Sequence, residues 1–375
     1  MKHASALLAL ALLVACGPSD SPTAGLPTGT RWTEHPNGSA THFRRWQSPA
    51  GEALLVFGAE GDTLARLLVS TLEPPPQGPF VGPWTVIDPQ QERIVLLSTT
   101  HTAYVAALGV LPRVVACAWP ALQRDTGIRE ALAAGRALGL AEGDGARREQ
   151  LSTLPEALAF HYPFGGEAAQ LPQHHTAVPV CEYLEPHPLG RAEWLCFFGA
   201  LTGTSARADS LYRAIADRYR ALVRPADAEP PLVFLGSAWR GTWSVPSGNS
   251  LMARLVTDAG GRYRHAERIA PGNIDLPLET VMADAHACTH WGVVADVPGL
   301  RRRTQLPGVD QRLLDSPAFR NGIVFVANGA EADLFGRAML EPEVLLADLR
   351  ALLHPQERPG HRATYFRPLP HTTSH

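Results

Sequence analysis

The spacing of apolar and polar positions changes along this chain. Between residues 41 and 72, apolar and polar side chains alternate in three short runs separated by turn-forming residues. Alternation of this kind is typical of strands with one buried face. It predicts a small N-terminal β-meander within residues 31–88, packed on the lobe that follows it. The Pro-rich stretch 74–79 marks the end of this pattern. The three runs are 43–46, 53–57 and 64–69.

From residue 93 onward, short apolar runs alternate with helical patterns, which indicates βαβ units and mostly parallel sheets. The first set of predicted strands is 94–98, 114–118, 158–161 and 177–181, with helices at 102–108 and 129–137. The second set is 232–236, 288–295 and 323–327, with helices near 249–259, 276–284 and 343–353. The pattern therefore predicts an α/β protein with a first lobe at 89–203, a second at 225–356 and a C-terminal tail at 357–375.

The most helical part of the chain lies between the two sets. Leu211, Ile215, Tyr219 and Leu222 follow one another at helical spacings. As a helix, residues 205–223 would be roughly 28 Å long at about 1.5 Å per residue. We therefore predict a single interlobe helix at 204–224, which restricts the relative motion of the lobes.

Composition narrows the range of functions. The chain has 375 residues, of which 45% are hydrophobic, so it can bury a large core. Its formal net charge of -3 argues against nucleic acid as a partner. No G-x-S-x-G elbow, P-loop or G-x-G-x-x-G fingerprint follows a predicted strand. We do not expect an enzyme.

The first residues resemble a bacterial lipoprotein signal. Lys2 and His3 precede an apolar run that is too short to span a bilayer permanently. The closing Leu-Val-Ala-Cys resembles a lipobox, which implies cleavage before Cys16 and diacylglycerol on its sulfur. The alternative is a secretory signal with a coincidental cysteine. We expect a signal peptide at 1–15 and a lipidated tether at 16–30, exposed in the periplasm and anchored to the inner or outer membrane.

Four other cysteines, Cys117, Cys181, Cys196 and Cys288, lie in apolar surroundings. Outside the cytoplasm they can form disulfides, but buried free thiols are an equal alternative, because spacing does not give connectivity. No Cys-x-x-Cys or Cys/His spacing typical of structural zinc is present.

Four blocks of sequence resemble the periplasmic binding proteins of ABC importers for iron chelates and cobalamin. The first is a strand ending in Ser, a Thr-rich turn and a helix that closes on Ala-Leu-Gly. The blocks are residues 93–109, 182–194, 234–250 and 276–281, and they are most similar to the branch found in Bacteroidetes-type genomes. The resemblance implies a monomer with two α/β lobes, one long interlobe helix and a ligand cleft between the lobes. It also implies a siderophore, haem or cobalamin ligand, a permease partner and no intrinsic cofactor.

In such proteins the ligand lies at strand-to-helix turns of both lobes. Thr99, Thr100 and His101 occupy the first such turn, beside a helix N terminus that favours anionic groups. Simple capping by Thr100 is the alternative. Tyr162 follows another first-lobe strand, next to the weaker candidates His161 and Phe164.

The second-lobe candidates are clustered within eleven residues, and they are Trp239, Arg240, Trp243, Ser247 and Asn249. Tryptophan faces can pack on a macrocycle or catecholate, and a guanidinium can bind carboxylate or phenolate oxygens. The alternatives are a core position for at least one tryptophan and helix capping by Asn249.

The resemblance also implies docking to the permease through one Glu on each lobe. Glu279 matches the second-lobe pattern, whereas Glu149 is one residue closer to the following Pro155 than the usual spacing. Direct binding of Zn or Mn is an alternative function, for which His174 and His175 give a weak signal. A surface receptor without a transport role is another alternative.

Overall fold

The computed structural model describes residues 31–72, 75–164, 171–239 and 242–370, with the side chain of Trp239 excluded. The predicted signal peptide, the tether with Cys16, and Arg240 lie outside the described residues. Within them, no helix is long and apolar enough to cross a membrane.

An N-terminal sheet precedes the lobes, and three of its strands coincide with the alternating apolar runs. Its strands are β1 (Thr33–His35), β2 (Phe43–Ser48), β3 (Gly51–Phe57), β4 (Thr63–Val69) and β5 (Thr85–Ile87), in that spatial order. The first four are antiparallel, and β5 runs parallel to β4.

Two buried glutamates of the first lobe form hydrogen bonds with the loop between β1 and β2 of this sheet. Glu193 accepts hydrogen bonds from the backbone N–H groups of residues 38, 39 and 40, each at 2.7 Å. Glu185 accepts from the N–H groups of residues 41 and 42 and from Trp194 Nε1 at 3.0 Å. Because buried carboxylates require such donors, the N-terminal sheet and the first lobe stabilise each other.

The first lobe is a parallel sheet in the order β10-β9-β6-β7-β8. Its strands are β6 (Ile94–Leu96), β7 (Val114–Cys117), β8 (Leu138–Gly139), β9 (Leu158–His161) and β10 (Thr176–Pro179). Its helices are α1 (Thr99–Leu108), α2 (Thr126–Ala133) and α3 (Asp144–Thr153). Strand β8 and helix α3 have too little apolar periodicity to be predicted from the sequence.

The second lobe has a seven-stranded sheet in the order β14-β12-β11-β15-β16-β17, with β13 also paired to β11. Its strands are β11 (Leu232–Trp239), β12 (Thr242–Val245), β13 (Arg262–Tyr263), β14 (Ile274–Leu276), β15 (His290–Ala295), β16 (Ile323–Asn328) and β17 (Phe366–Leu369). Its helices are α6 (Leu251–Asp258), α7 (Leu278–Ala287), α8 (Gln311–Leu314), α9 (Pro317–Arg320) and α10 (Pro342–Leu353). Short 3-10 turns lie at 111–113, 120–122, 182–184, 303–305 and 337–340.

The second lobe does not end at residue 356, and residues 357–370 are not a free tail. Strand β17 pairs antiparallel with β16 at the edge of the second sheet. The fully buried carboxylate of Asp348 accepts hydrogen bonds from His361 and from the backbone N–H groups of residues 364, 365 and 366. This buried charge requires the C-terminal segment as its hydrogen-bond partner.

One long helix, the second of two consecutive helices, connects the lobes. Helix α4 (Pro188–Leu201) belongs to the first lobe, and α5 (Ser205–Leu222) follows it within the predicted interlobe range. Helix α5 packs against α4 on one side and α10 on the other. One continuous apolar core contains Leu96 of the first lobe, Phe198 of α4, Ile215 of α5 and Leu235 and Leu349 of the second lobe. The prediction of two α/β lobes joined by a long helix is confirmed.

The attachment of the N-terminal sheet can be tested by Glu193→Ala. The change leaves three partly buried N–H groups without their carboxylate acceptor, so we expect the free energy of unfolding to fall by about 2 kcal/mol. Urea denaturation measures it. Glu130→Ala, an exposed site on α2, is the control and should change stability by less than about 0.5 kcal/mol. Equal stability of the two variants would contradict the role of Glu193.

Candidate ligand-binding site

A cavity of about 1010 Å³ lies between the two lobes. Residues in the turns that follow β6, β7 and β9 line it from the first lobe, and residues that follow β15 and β16 line it from the second. Helix α5 forms its third wall. Ligands of open α/β sheets bind at these carboxyl ends of the strands. The lining includes Ser98, Thr99, Thr100, Trp119, Leu122, Arg124, Asp125, Tyr162, Arg218, Asp296, Asp333, Phe335, Arg337, Glu341 and Glu343.

The first-lobe wall contains a chain of hydroxyl groups held by a buried carboxylate. Ser98 caps α1 and donates its hydroxyl hydrogen to the Tyr162 oxygen at 2.9 Å. Thr100 and Tyr162 both donate to Glu182 Oε1, at 2.7 and 3.1 Å. The backbone N–H of Thr100 in turn donates to Ser98 Oγ. The Ser-Thr-Thr turn therefore does cap α1, through Ser98, while the Thr100 hydroxyl faces Glu182.

Glu182 itself lies behind this wall and is 1% exposed. Burial raises its pKa, while hydrogen bonds from Thr100 act in the opposite direction. Burial, followed by the nearby Glu182, also raises the pKa of Tyr162, so this phenol stays protonated at neutral pH. Glu182 could not be singled out from the sequence, because a glutamate is normally exposed.

His101 does not line the cavity. Its ring is fully buried, with ring centroids 5.4 Å from Tyr162 and 5.8 Å from Phe198. Burial, and then the neighbouring His161, lower the pKa of His101 to about 3. The neutral imidazole packs beneath the first turn of α1, and no ligand can reach it in this conformation.

Trp119 is a cavity residue that sequence reasoning missed. It lies two residues after β7 and adopts a left-handed backbone conformation with φ 52°. It is the only non-glycine residue of the described chain with a positive φ. Such conformations are unfavourable for bulky residues and often occur at functional sites. The side chain is 37% exposed, and the guanidinium carbon of Arg147 lies 5.6 Å from the ring centroid. Its position in a strand-to-helix turn was the available signal.

The second-lobe wall comes mainly from residues 329–343. Phe335 lines the cavity and is 61% exposed. Two ion pairs hold this wall: Arg337 Nε binds Glu341 Oε1 at 2.6 Å, and Arg218 Nη2 of α5 binds Glu343 Oε1 at 2.6 Å. Arg124 of the first lobe donates to the carbonyl oxygen of Gly329, which links the two lobes directly.

The predicted second-lobe cluster lies elsewhere. Trp243 is 2% exposed and forms edge contacts with Phe234 and Trp291, at centroid distances of 5.6 and 5.8 Å. Ser247 is buried, and Asn249 is exposed and accepts a hydrogen bond from residue 270. None of these three residues lines the cavity. Strand β12 pairs with β11 and β14, and this pairing directs Trp243 into the apolar core.

The structure also decides the capping alternative for Asn249, but it does not describe the side chains of Trp239 and Arg240. The cap of α6 is Ser250, whose hydroxyl accepts from the N–H of Ala253, so Asn249 is not the cap. The side chain of Trp239 and the whole of Arg240 are outside the described residues, and their placement stays a prediction.

The remaining histidines make structural contacts. His161 Nδ1 lies 2.8 Å from the Tyr162 carbonyl, and burial lowers its pKa. His174 and His175 lie against the carbonyl oxygens of Leu154 and Leu151 at the end of α3. Phe164 stacks on the Tyr162 ring but does not line the cavity. In the described parts of the chain, no group of three or more His, Cys, Asp or Glu side chains is placed to hold a metal ion.

All four cysteines of the described chain are buried free thiols, which decides between the two alternatives in favour of thiols. Burial raises the pKa of Cys117 to about 11 and that of Cys288 to about 12. Such thiols are unreactive at neutral pH.

Both predicted docking glutamates are exposed on helices that precede a parallel strand. Glu279 lies in the first turn of α7, which leads into β15. Glu149 lies within α3, which leads into β9. A helix that precedes a parallel strand begins at the carboxyl edge of the sheet, which is the edge of the cavity. Glu279 therefore lies near that edge, and Glu149 lies farther along its helix.

No protein-family model matches the chain. Its sequence is 23% identical over 295 residues to an uncharacterized lipoprotein of Methanocaldococcus jannaschii, covering 75% of this chain and 69% of that protein. A possible iron-binding periplasmic solute-binding protein of Staphylococcus epidermidis aligns with a TM-score of 0.54 at 11% identity, over 71% of this chain and 99% of that chain. A periplasmic heme-binding protein of Pseudomonas aeruginosa aligns with a TM-score of 0.52 at 18% identity, over 76% and 100%.

A similar alignment is found with an ABC transporter substrate-binding protein of Listeria monocytogenes, with a TM-score of 0.52 at 14% identity, over 70% of this chain and 98% of that chain. At these identities the likeness establishes the fold. The chain therefore has the two-lobed fold of the periplasmic substrate-binding proteins of ABC importers.

Proposed function

We propose that this chain is an exported substrate-binding lipoprotein, which captures a ferric siderophore, haem or cobalamin and delivers it to an ABC permease. The observation that carries the proposal is the interlobe cavity of about 1010 Å³. Ligand pockets for organic molecules have volumes of about 300–1,000 Å³, so the cavity suits a metal chelate and exceeds the needs of a bare ion. The iron- and heme-binding proteins among the structural neighbours support this class of ligand.

The residues proposed to contact the ligand combine predicted and newly found positions. Thr99, Thr100 and Tyr162 of the first-lobe wall were predicted from the sequence, and they line the cavity together with Trp119 and Phe335. The two aromatic side chains lie on opposite lobes and expose apolar surface to the cavity. A ligand that contacts both must be bound between the lobes, which is the geometry that makes capture possible.

The anchor and the docking residues complete the proposal. The lipobox-like Leu-Val-Ala-Cys, and the lipoprotein name of the Methanocaldococcus relative, support lipid attachment at Cys16. A tethered binding protein stays near its permease, and the tether length sets its effective concentration there. Glu279 and Glu149 are proposed to meet basic residues of the permease, a charge pairing that orients the encounter.

Ligand capture can be tested by titrating the purified mature protein with a ferric siderophore, haem and cobalamin while tryptophan fluorescence is recorded. Because Trp119 lines the cavity, we expect saturable quenching with at least one of them. In Trp119→Phe the quenching amplitude should fall, while the affinity measured by calorimetry changes less than about ten-fold, since an aromatic ring is retained. A lack of saturable binding to every ligand would overturn the proposal.

Docking can be tested by Glu279→Arg. The side chain is exposed and outside the cavity, so ligand affinity should stay within about two-fold of the wild type. Uptake in cells should fall by about ten-fold or more, because charge reversal converts attraction into repulsion.

Glu229→Arg is the matched control for docking. Glu229 is exposed and lies three residues before β11, so it lies at the amino edge of the second sheet, away from the cavity. The Glu229→Arg variant should support ligand uptake at the wild-type level. Normal uptake by Glu279→Arg would refute the docking role and favour a receptor without a transport function.

A further inference from the structure

The charges around the cavity are unequal. Its described wall contains five carboxylates and three guanidiniums, a formal balance of two negative charges. Two guanidiniums are bound to Glu341 and Glu343, and the third, on Arg124, donates to a carbonyl oxygen. The remaining carboxylates are Asp125, Asp296 and Asp333, and none of them is within ion-pair distance of a described basic residue. The hydrogen bond to Glu341 is the main cause of the raised pKa of Arg337, and Asp333 is nevertheless near enough to contribute to it.

These carboxylates lie on both lobes. Asp296 directly follows β15 and is exposed to the cavity. Asp333 lies on the loop after β16, where Oδ2 accepts the backbone N–H of Arg337 at 2.8 Å. Asp125 caps α2 from the first lobe. A ligand in the cavity is therefore close to negative charge on two sides.

A buried carboxylate oxygen adds an independent sign of an unmet partner. Glu343 lines the cavity and is 8% exposed. Its Oε1 binds Arg218, but its Oε2 is buried and has no hydrogen-bond partner among the described residues. Buried polar atoms without partners are rare in folded proteins, and a ligand donor is one way to satisfy them.

The first-lobe wall also presents acceptors. Ser98 donates to Tyr162, and Thr100 and Tyr162 donate to Glu182, so the hydrogens of all three hydroxyls are used within the protein. Each hydroxyl group has one hydrogen and two lone pairs. Because the hydrogen is already used, these hydroxyls can only accept hydrogen bonds from a ligand. Hydrogen-bond donors on the ligand, such as ammonium or amide N–H groups, complement this wall.

The aromatic walls are compatible with positive charge. The faces of Trp119 and Phe335 attract cations through their quadrupoles, and both rings expose surface at the cavity. The N termini of α1, α2 and α10 also reach the cavity wall, and their partial positive charges oppose the binding of a cation. Each is equivalent to roughly half a positive charge at most, so together they do not cancel the two formal negative charges.

We propose that the cavity selects a metal chelate of net positive charge that carries hydrogen-bond donors, in preference to an anionic chelate. This inference rests on the proposed function and specifies its substrate class. A ferric trihydroxamate is neutral, because three hydroxamate anions balance ferric iron, and an added ammonium makes it a cation. A ferric tricatecholate is a trianion, and haem carries two carboxylates. The helix N terminus at Thr99 alone would favour an anionic ligand, whereas the charges of the whole cavity favour a cationic one. Binding measurements can distinguish these two expectations.

The test compares a ferric trihydroxamate bearing one ammonium with the same chelate acetylated at that amine. The two probes differ in the charge and donors of that amine and by one acetyl group. By calorimetry with the mature protein, we expect the cation to bind roughly three- to ten-fold tighter than the acetylated chelate, and the tricatecholate and haem to bind more weakly than both. The preference should decrease as salt is added, because the carboxylates are partly exposed.

The matched variant is Asp296→Asn with Asp333→Asn, which keeps side-chain shape and removes two charges. It should bind the cation and the acetylated chelate with nearly equal affinity. Asp227→Asn with Asp315→Asn is the control, because both aspartates are exposed and neither lines the cavity. It should keep the preference of the wild type. Thermal unfolding of each variant verifies that it is folded.

The outcomes separate the two proposals. Tighter binding of the tricatecholate or haem, or a preference that persists in Asp296→Asn with Asp333→Asn, would overturn the charge inference and leave capture of a chelate intact. If none of the chelates binds, the proposed function fails and the charge inference fails with it. Loss of the preference in the cavity variant alone supports the inference.

Discussion

The structure depends on one apolar core that both lobes share. Helix α5 packs between α4 and α10, and Ile215 lies in the same core as Leu96 of the first lobe and Leu349 of the second. Since removing large apolar side chains from water supplies most of the stability of a fold, the lobes cannot separate without exposing this core. The cavity is therefore a fixed feature of the molecule, with α5 as its back wall. Small movements at its opening are compatible with this core, and wide opening is not.

Much of the fold followed from the sequence. Apart from the two-residue strands β8 and β13, the parallel strands of both lobes follow from apolar periodicity and turn residues, which are local properties. The turn at Thr99 and Thr100 and the long helix follow from the same properties. The C-terminal strand was missed because its partner, β16, and its anchor, Asp348, are defined only in the folded chain. Edge strands such as β17 are short and mixed in composition, so local pattern does not identify them.

The site was harder to predict than the fold. A cluster of Trp239, Arg240 and Trp243 looked like a ligand loop, but pairing of β12 with β11 and β14 places Trp243 in the core. Trp119 and Phe335 are isolated in the sequence and become neighbours of the cavity only through the topology of two different sheets. The charges around the cavity show the same limit: the helix N terminus at Thr99 is visible locally, whereas Asp296 and Asp333 come from distant loops. Sequence motifs locate strand ends, and tertiary structure decides which of them face one another.

The most direct test of the central claim, that the two lobes share one ligand cavity, is amide hydrogen exchange with and without the ammonium-bearing ferric trihydroxamate. If the cavity is the site, bound ligand should slow exchange in residues 119–126 of the first lobe and in residues 329–337 of the second, because both segments line it. Residues 242–249 should exchange at the same rate in both states. Protection confined to residues 242–249, with none at either cavity segment, would contradict the account.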